Sequence, residues 1–155
     1  VLLDQERKLA QSSLDECFHG VEIVSDKTPE IYTRAFARHG ASADVALMAG
    51  NSMKSDVIPA LEAGAVGVYV PSTYIWALEE AEAPQTHARY PSLPDLGGLP
   101  ALVKTLEQAS GATSRTIFPI WADASIWVWA AAASVRSKLL SITGAIWPVS
   151  SKGQT

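Results

Sequence analysis

Three side chains in this sequence have the type and spacing to handle an anion. Lys27 stands directly before Thr28-Pro29, a helix start signal with Thr as N-cap and Pro at the first helical position. Free backbone N–H groups and the helix dipole favour an anion at such a point, and the lysine adds a full positive charge. A phosphoryl group is the natural guest. Asn51 and Asp56 follow the apolar run Val45-Ala46-Leu47-Met48-Ala49, at and beyond the polar loop 50–55. Both offer oxygens, and magnesium prefers oxygen, taking few protein ligands and filling the rest with water and substrate phosphate. Asn51 can ligate through its amide oxygen, and Asp56 can ligate or orient the lysine. Spacing alone leaves plainer readings open: a solvated loop lysine, a turn built on Asn51 and Ser52, and an aspartate favoured in a first helical turn.

The remaining reactive types are scattered. Cys17 sits beside Phe18 on a helix face with no base in view, so a core thiol is the expected reading. His19, His39 and His87 lack ligand spacing, and His39 before Gly40 fits a helix C-terminus. Glu79, Glu80 and Glu82 read as a solvated face, and Trp76 as a surface or core anchor.

The elements that must position the three side chains follow from periodicity. Residues 4–18 read as a helix stopped by Gly20, and Val21-Glu22-Ile23-Val24 as a strand. The helix opened by Thr28-Pro29 runs to Gly40 on a stripe of Ile31, Tyr32, Ala35 and Phe36. The run 45–49 is apolar throughout, as for a strand covered on both faces. Pro59 fits only near a helix start, which places a helix from about Ser55 to Ala63, with Gly64 as its stop. Residues 67–70 read as a strand, 72–94 as loop, and Leu99–Ala109 as a helix. Alternating strands and helices imply an α/β fold with a parallel sheet and right-handed crossovers. Ligands bind beyond the carboxyl ends of such strands, where Lys27 and the loop 50–56 lie.

Two stretches resemble a known family. Ser25-Asp26-Lys27-Thr28-Pro29-Glu30-Ile31-Tyr32 is similar to the third motif of the haloacid dehalogenase-like (HAD) hydrolases. Ala49-Gly50-Asn51-Ser52-Met53-Lys54-Ser55-Asp56, leading into Ala60-Leu61-Glu62-Ala63-Gly64-Ala65, is similar to the fourth. The resemblance covers about residues 1–109 and implies a partial Rossmann-like core. In that family a strand-tip aspartate attacks phosphorus to form an aspartyl-phosphate. The resemblance implies that Lys27 stabilises charge, that Asn51 and Asp56 hold magnesium directly or indirectly, and that Asp56 is the lysine's partner.

The sequence departs from the family at two points. Asn51 stands where aspartate is usual, which lowers the charge of the metal site by one. Metal-free 2-haloacid dehalogenases carry asparagine there, but their acid follows more closely than the five residues seen here. The second departure is the first motif, Asp-x-Asp, which occurs nowhere in the chain. The sequence thus resembles the C-terminal part of a HAD protein, beginning after motif two. By the family's topology, two strands are then missing between the strand at 21–24 and that at 45–49, and unpaired edges invite aggregation.

Composition marks where the resemblance stops. The chain has 155 residues, 48% apolar and 18% charged, the make-up of one globular domain. A net charge of −4 argues against a nucleic-acid binder. One cysteine excludes an internal disulfide framework. Residues 1–110 carry −7 and residues 111–155 carry +3, and four of five tryptophans lie in that second part. Residues 110–155 therefore read as a tail of another character, helical or poorly ordered, or as sequence outside the natural reading frame. Asp123 and an apolar run of only Ile126–Val135 disfavour a membrane span. Asp4, Gln5 and Glu6 break up any signal-peptide h-region, so a cytoplasmic protein is expected.

The reading is a HAD-like hydrolase fragment whose parent activity is magnesium-dependent hydrolysis of a small phosphorylated substrate. The alternatives are a metal-free 2-haloacid dehalogenase-type hydrolase and a non-catalytic or membrane-associated interaction module. Oligomeric state is left open. The chain as given is expected to be marginally stable and to lack phosphatase activity. Assayed with p-nitrophenyl phosphate, it should give no turnover above buffer; turnover together with a cooperative unfolding transition would overturn this.

Overall fold

The computed structural model describes residues 7, 10, 20–24, 26–71, 81–84, 88–111, 115–119 and 126–131. Strand β1 is Gly20–Ile23 and helix α1 is Pro29–Arg38. Strand β2 is Ala46–Gly50, followed by a π-helical turn at Met53–Val57 that runs into helix α2, Ile58–Glu62. Strand β3 is Val66–Tyr69, helix α3 Leu99–Ser110, strand β4 Arg115–Pro119 and strand β5 Ile126–Ala131. The expected helix over 4–18 lies outside the described residues, apart from Arg7 and Ala10, which are helical.

Each element has a local cause. Thr28 caps α1: its Oγ1 accepts from the Ile31 N–H at 3.4 Å, and Pro29 occupies the first turn, where no N–H is needed. Gly40 and Gly64 end the helical stretches with positive φ, 69° and 87°. β2 is buried along its whole length, as its unbroken apolar run requires. The core forms where α1 lays Tyr32, Ala35 and Phe36 on Ala46 and Met48 of β2 and Ala60 of α2. The Tyr32 and Phe36 rings are tilted at 48° with centroids 6.0 Å apart, a favourable aromatic geometry. Part of the expected loop 72–94 is extended instead. Arg89 to Leu93 runs beside β3, with Gly67 N–H bonding Arg89 O at 3.0 Å and Tyr69 N–H bonding Pro91 O at 3.1 Å.

The sheet corrects the reading of the tail. Its order is β1-β5-β4-β2-β3. β2 pairs parallel with β3 and with β4, while β5 runs antiparallel to both β4 and β1. Two strands separate β1 from β2, and both come from residues 115–131. The described tail residues are thus strands, not helix. Ile-Trp-Val-Trp is a run of β-branched and aromatic types, and two open edges offer it backbone partners, which together favour strand pairing. Among the described residues no helix is long and apolar enough to cross a membrane.

Gly67 shows how tightly β3 sits under the π turn. A Cβ there would lie 2.8 Å from Val57 O and 3.0 Å from Leu61 Cγ. Gly67→Ala should therefore destabilise the chain by about 1–3 kcal/mol, the usual range for overpacking. Urea unfolding checks this, and an unchanged midpoint would contradict the packing described.

Candidate functional site

Lys27 and Asp56 meet. Lys27 Nζ donates to Asp56 Oδ1 at 2.8 Å. Their side chains are 13% and 0% exposed, so the lysine keeps a little contact with solvent and the carboxylate none. The second carboxylate oxygen, Oδ2, accepts from the Ser52 N–H at 3.1 Å. A buried carboxylate needs this full engagement, because an unpaired charge is very costly away from water.

The π turn brings Asp56 to that point. The N–H groups of Asp56 and Val57 both bond Ser52 O, at 3.0 and 3.1 Å, and the second of these is the wide five-residue closure. Such bulges recur at functional sites. Ser52 Oγ accepts from the Ser55 N–H at 3.0 Å and lies 2.7 Å from Ser55 Oγ. The sequence placed a helix start near Ser55; the added turn begins two residues earlier and swings Asp56 back over β2. Gly50 makes room for it, since a Cβ on Gly50 would overlap the Asp56 carboxylate. This is the one glycine in the site whose missing side chain is a steric requirement.

Tyr32 enters the site unannounced. Its spacing placed it on the apolar stripe of α1, where its ring does lie. Its hydroxyl donates to Ser55 O at 3.2 Å and so braces the π turn from the opposite element. A Tyr rather than a Phe on a buried stripe was the available signal. Burial, and then the negative charge of Asp56, push this hydroxyl well above the ordinary tyrosine range.

Asn51 stands at the same strand tip, 6% exposed, and its Oδ1 has no hydrogen-bond partner among the described residues. His39 caps the C-terminus of α1 as read, with Nε2 2.9 Å from Glu22 Oε1, while Arg38 holds Glu22 Oε2 at 2.7 Å. Glu82 is exposed, in keeping with its solvated reading. Cys17, His19, Trp76, Glu79, Glu80 and His87 lie outside the described residues.

A comparison with solved structures bears on this arrangement. The chain is similar to a haloacid dehalogenase-like family hydrolase from Xanthomonas campestris, at 34% identity and a TM-score of 0.62. The resemblance to the HAD superfamily is thus one of fold as well as of motif. The match covers 72% of this chain but 46% of that hydrolase, so the chain spans under half of its length. No family model matches the chain, and no curated protein matches it in sequence.

The alkaline limb of stability tests the placement of Tyr32. An unfolded tyrosine ionises near pH 10, while the buried one keeps its proton. The stability tied to the neutral hydroxyl is fully present below about pH 10 and is lost as the pH climbs toward the folded value. Tyr32→Phe should cost about 1 kcal/mol at pH 7, from the lost hydrogen bond. It should also give a shallower fall in stability between about pH 10 and 11. Denaturant titrations across that range check both; an unchanged alkaline slope would contradict the burial.

Proposed function

We propose that the chain carries the anion-stabilising part of a HAD-like hydrolase site, with phosphate monoesters as the substrate class. The observation that carries this is the Lys27–Asp56 pair at the carboxyl end of the sheet, beside the N-terminus of the ten-residue helix α1. Lys27 supplies a full positive charge where a phosphoryl oxygen develops negative charge, and the dipole of α1 has the same sign. Asp56 and Ser52 fix the lysine before a ligand arrives, so little reorganisation is needed when it does. The nucleophilic carboxylate of such a reaction is not among the described residues.

The resemblance implies magnesium, which would have to be held by Asn51 and Asp56. Asn51 Oδ1 is buried and has no partner among the described residues, so it can still accept from a cation or from an N–H or O–H donor. Asp56 is in the opposite state, with both oxygens engaged by Lys27 and Ser52. A single neutral oxygen falls short of the one or two carboxylates by which magnesium is usually held. Nor do three His, Cys, Asp or Glu residues cluster anywhere among the described residues. The residues present do not fit the ion. This favours a second reading, a metal-free 2-haloacid dehalogenase-type hydrolase, in which Lys27 would meet a carboxylate instead of a phosphoryl group.

Ligand-dependent thermal unfolding separates the two. In the presence of EDTA, inorganic phosphate should raise the melting temperature, by the equivalent of about 2.7 kcal/mol at a hundred times its Kd. Lys27→Met should abolish that rise. A rise with 2-chloropropionate and none with phosphate would establish the second reading. No rise with either would overturn the anion site.

A further inference from the structure

The Lys27–Asp56 pair joins two parts of the chain whose strands are not neighbours. β1 leads to Lys27 and β2 leads to Asp56, yet β5 and β4 lie between them. Three strand spacings separate β1 from β2, about 14 Å across the sheet. Among the described strands β1 pairs with β5 alone, through Gly20↔Trp129 to Ile23↔Ile126. β2 meets the inserted pair through β4, from Ala46↔Arg115 to Met48↔Ile117. The register between β4 and β5 runs unbroken from Arg115↔Ala131 to Pro119↔Trp127. These directions bring the end of β4 and the start of β5 to the same edge of the sheet as Lys27 and Asp56.

We propose that the β4–β5 pair is the positioning element of this site, setting the separation of β1 from β2 at which Lys27 reaches Asp56. The inference stands on the strand pairing and does not depend on the reaction proposed above. Its competitor is α1, which follows Lys27 directly and packs on β2 and α2 through Tyr32, Ala35 and Phe36. If α1 alone placed the lysine, β1 would be free to part from the sheet without effect on the ion pair. Against that, β1 is also tied to the far end of α1, through Glu22 to Arg38 and His39. A displaced β1 therefore pulls on the same helix from its C-terminus.

The test uses the full chain and reads the lysine rather than turnover. Val128 pairs with both Val21 and Phe118, so Val128→Pro removes an N–H in the middle of the inserted pair. Acylation by a small N-hydroxysuccinimide ester, followed by mass spectrometry, measures exposure of Lys27, with the exposed Lys104 of α3 as reference. In the unaltered chain Lys27 should react at least tenfold more slowly than Lys104. In Val128→Pro the two rates should come within threefold, while the amides of Ser52, Met48 and Val68 keep their protection from hydrogen exchange. A Lys27 that stays slow while the β1 amides exchange freely would overturn the proposal in favour of α1. If that variant does not fold, the unaltered chain in sub-denaturing urea decides. Lys27 acylation should rise together with exchange in β1, β4 and β5 while β2 and β3 are still protected. A rise that comes only with the opening of β2 and β3 would overturn it.

Discussion

A buried carboxylate is the constraint around which this structure is organised. Asp56 is fully removed from solvent, and a lone charge there would be untenable. Its two oxygens are therefore spoken for, one by the Lys27 ammonium and one by the Ser52 N–H. Each of those donors then fixes something else. Lys27 ties the start of α1 to the tip of β2. Ser52 ties the π turn to itself, because its carbonyl takes the N–H groups of Asp56 and Val57. Gly50 is obligatory beneath the carboxylate, and the Tyr32 hydroxyl closes the turn from above. Such a pair adds little net stability, since the desolvation of both ions offsets their attraction. What it contributes is a single arrangement: with either partner displaced, the other is left as an uncompensated charge.

The sheet imposes a second constraint on the same pair. A β-strand has two edges, and a buried strand cannot leave either unpaired. β2 is buried on every residue, so something must cover the edge that β3 does not. β4 does so in the parallel direction, and β5 turns back to reach β1. The result is a mixed sheet, with one antiparallel strand among four that run the same way. That strand follows from chain direction: two strands joined by the short connection 120–125 must oppose each other, whereas parallel neighbours need a long crossover.

How much of this was legible in the sequence depended on which interactions are local. The cap and first turn of α1 are written in adjacent residues, Thr28 and Pro29, and read correctly. β2 announced itself as an unbroken apolar run, and Lys27 and Asp56 through their motifs. The π turn did not, because its cause is a nonlocal demand: Asp56 must fold back to meet a lysine 29 positions earlier. Tyr32 was legible as core but not as a brace, since periodicity reports where a ring lies and not what its hydroxyl bonds. The tail misled for a related reason. Charge and tryptophan counts mark a change of character there, but β-propensity expresses fit to neighbouring strands, and β1 and β2 lie some seventy to a hundred residues away.

The charge balance of the site bears on what it can hold. Asp56 and Lys27 cancel, and Asn51 adds polarity without charge. A ligand entering here meets a lysine whose attraction is partly spent on its own carboxylate. An anion can share that lysine without displacing Asp56, because an ammonium has three donors and the pair uses one. A divalent cation faces the reverse situation. Bound to a free lone pair of Asp56, it would set a second positive charge beside the Lys27 ammonium, two like charges against a single buried carboxylate. On the reading proposed above, the same three residues therefore favour an anion over a metal. On that same reading, the Asn51 oxygen, which no described residue partners, would meet a hydrogen-bond donor on the ligand, a protonated phosphate oxygen or a hydroxyl.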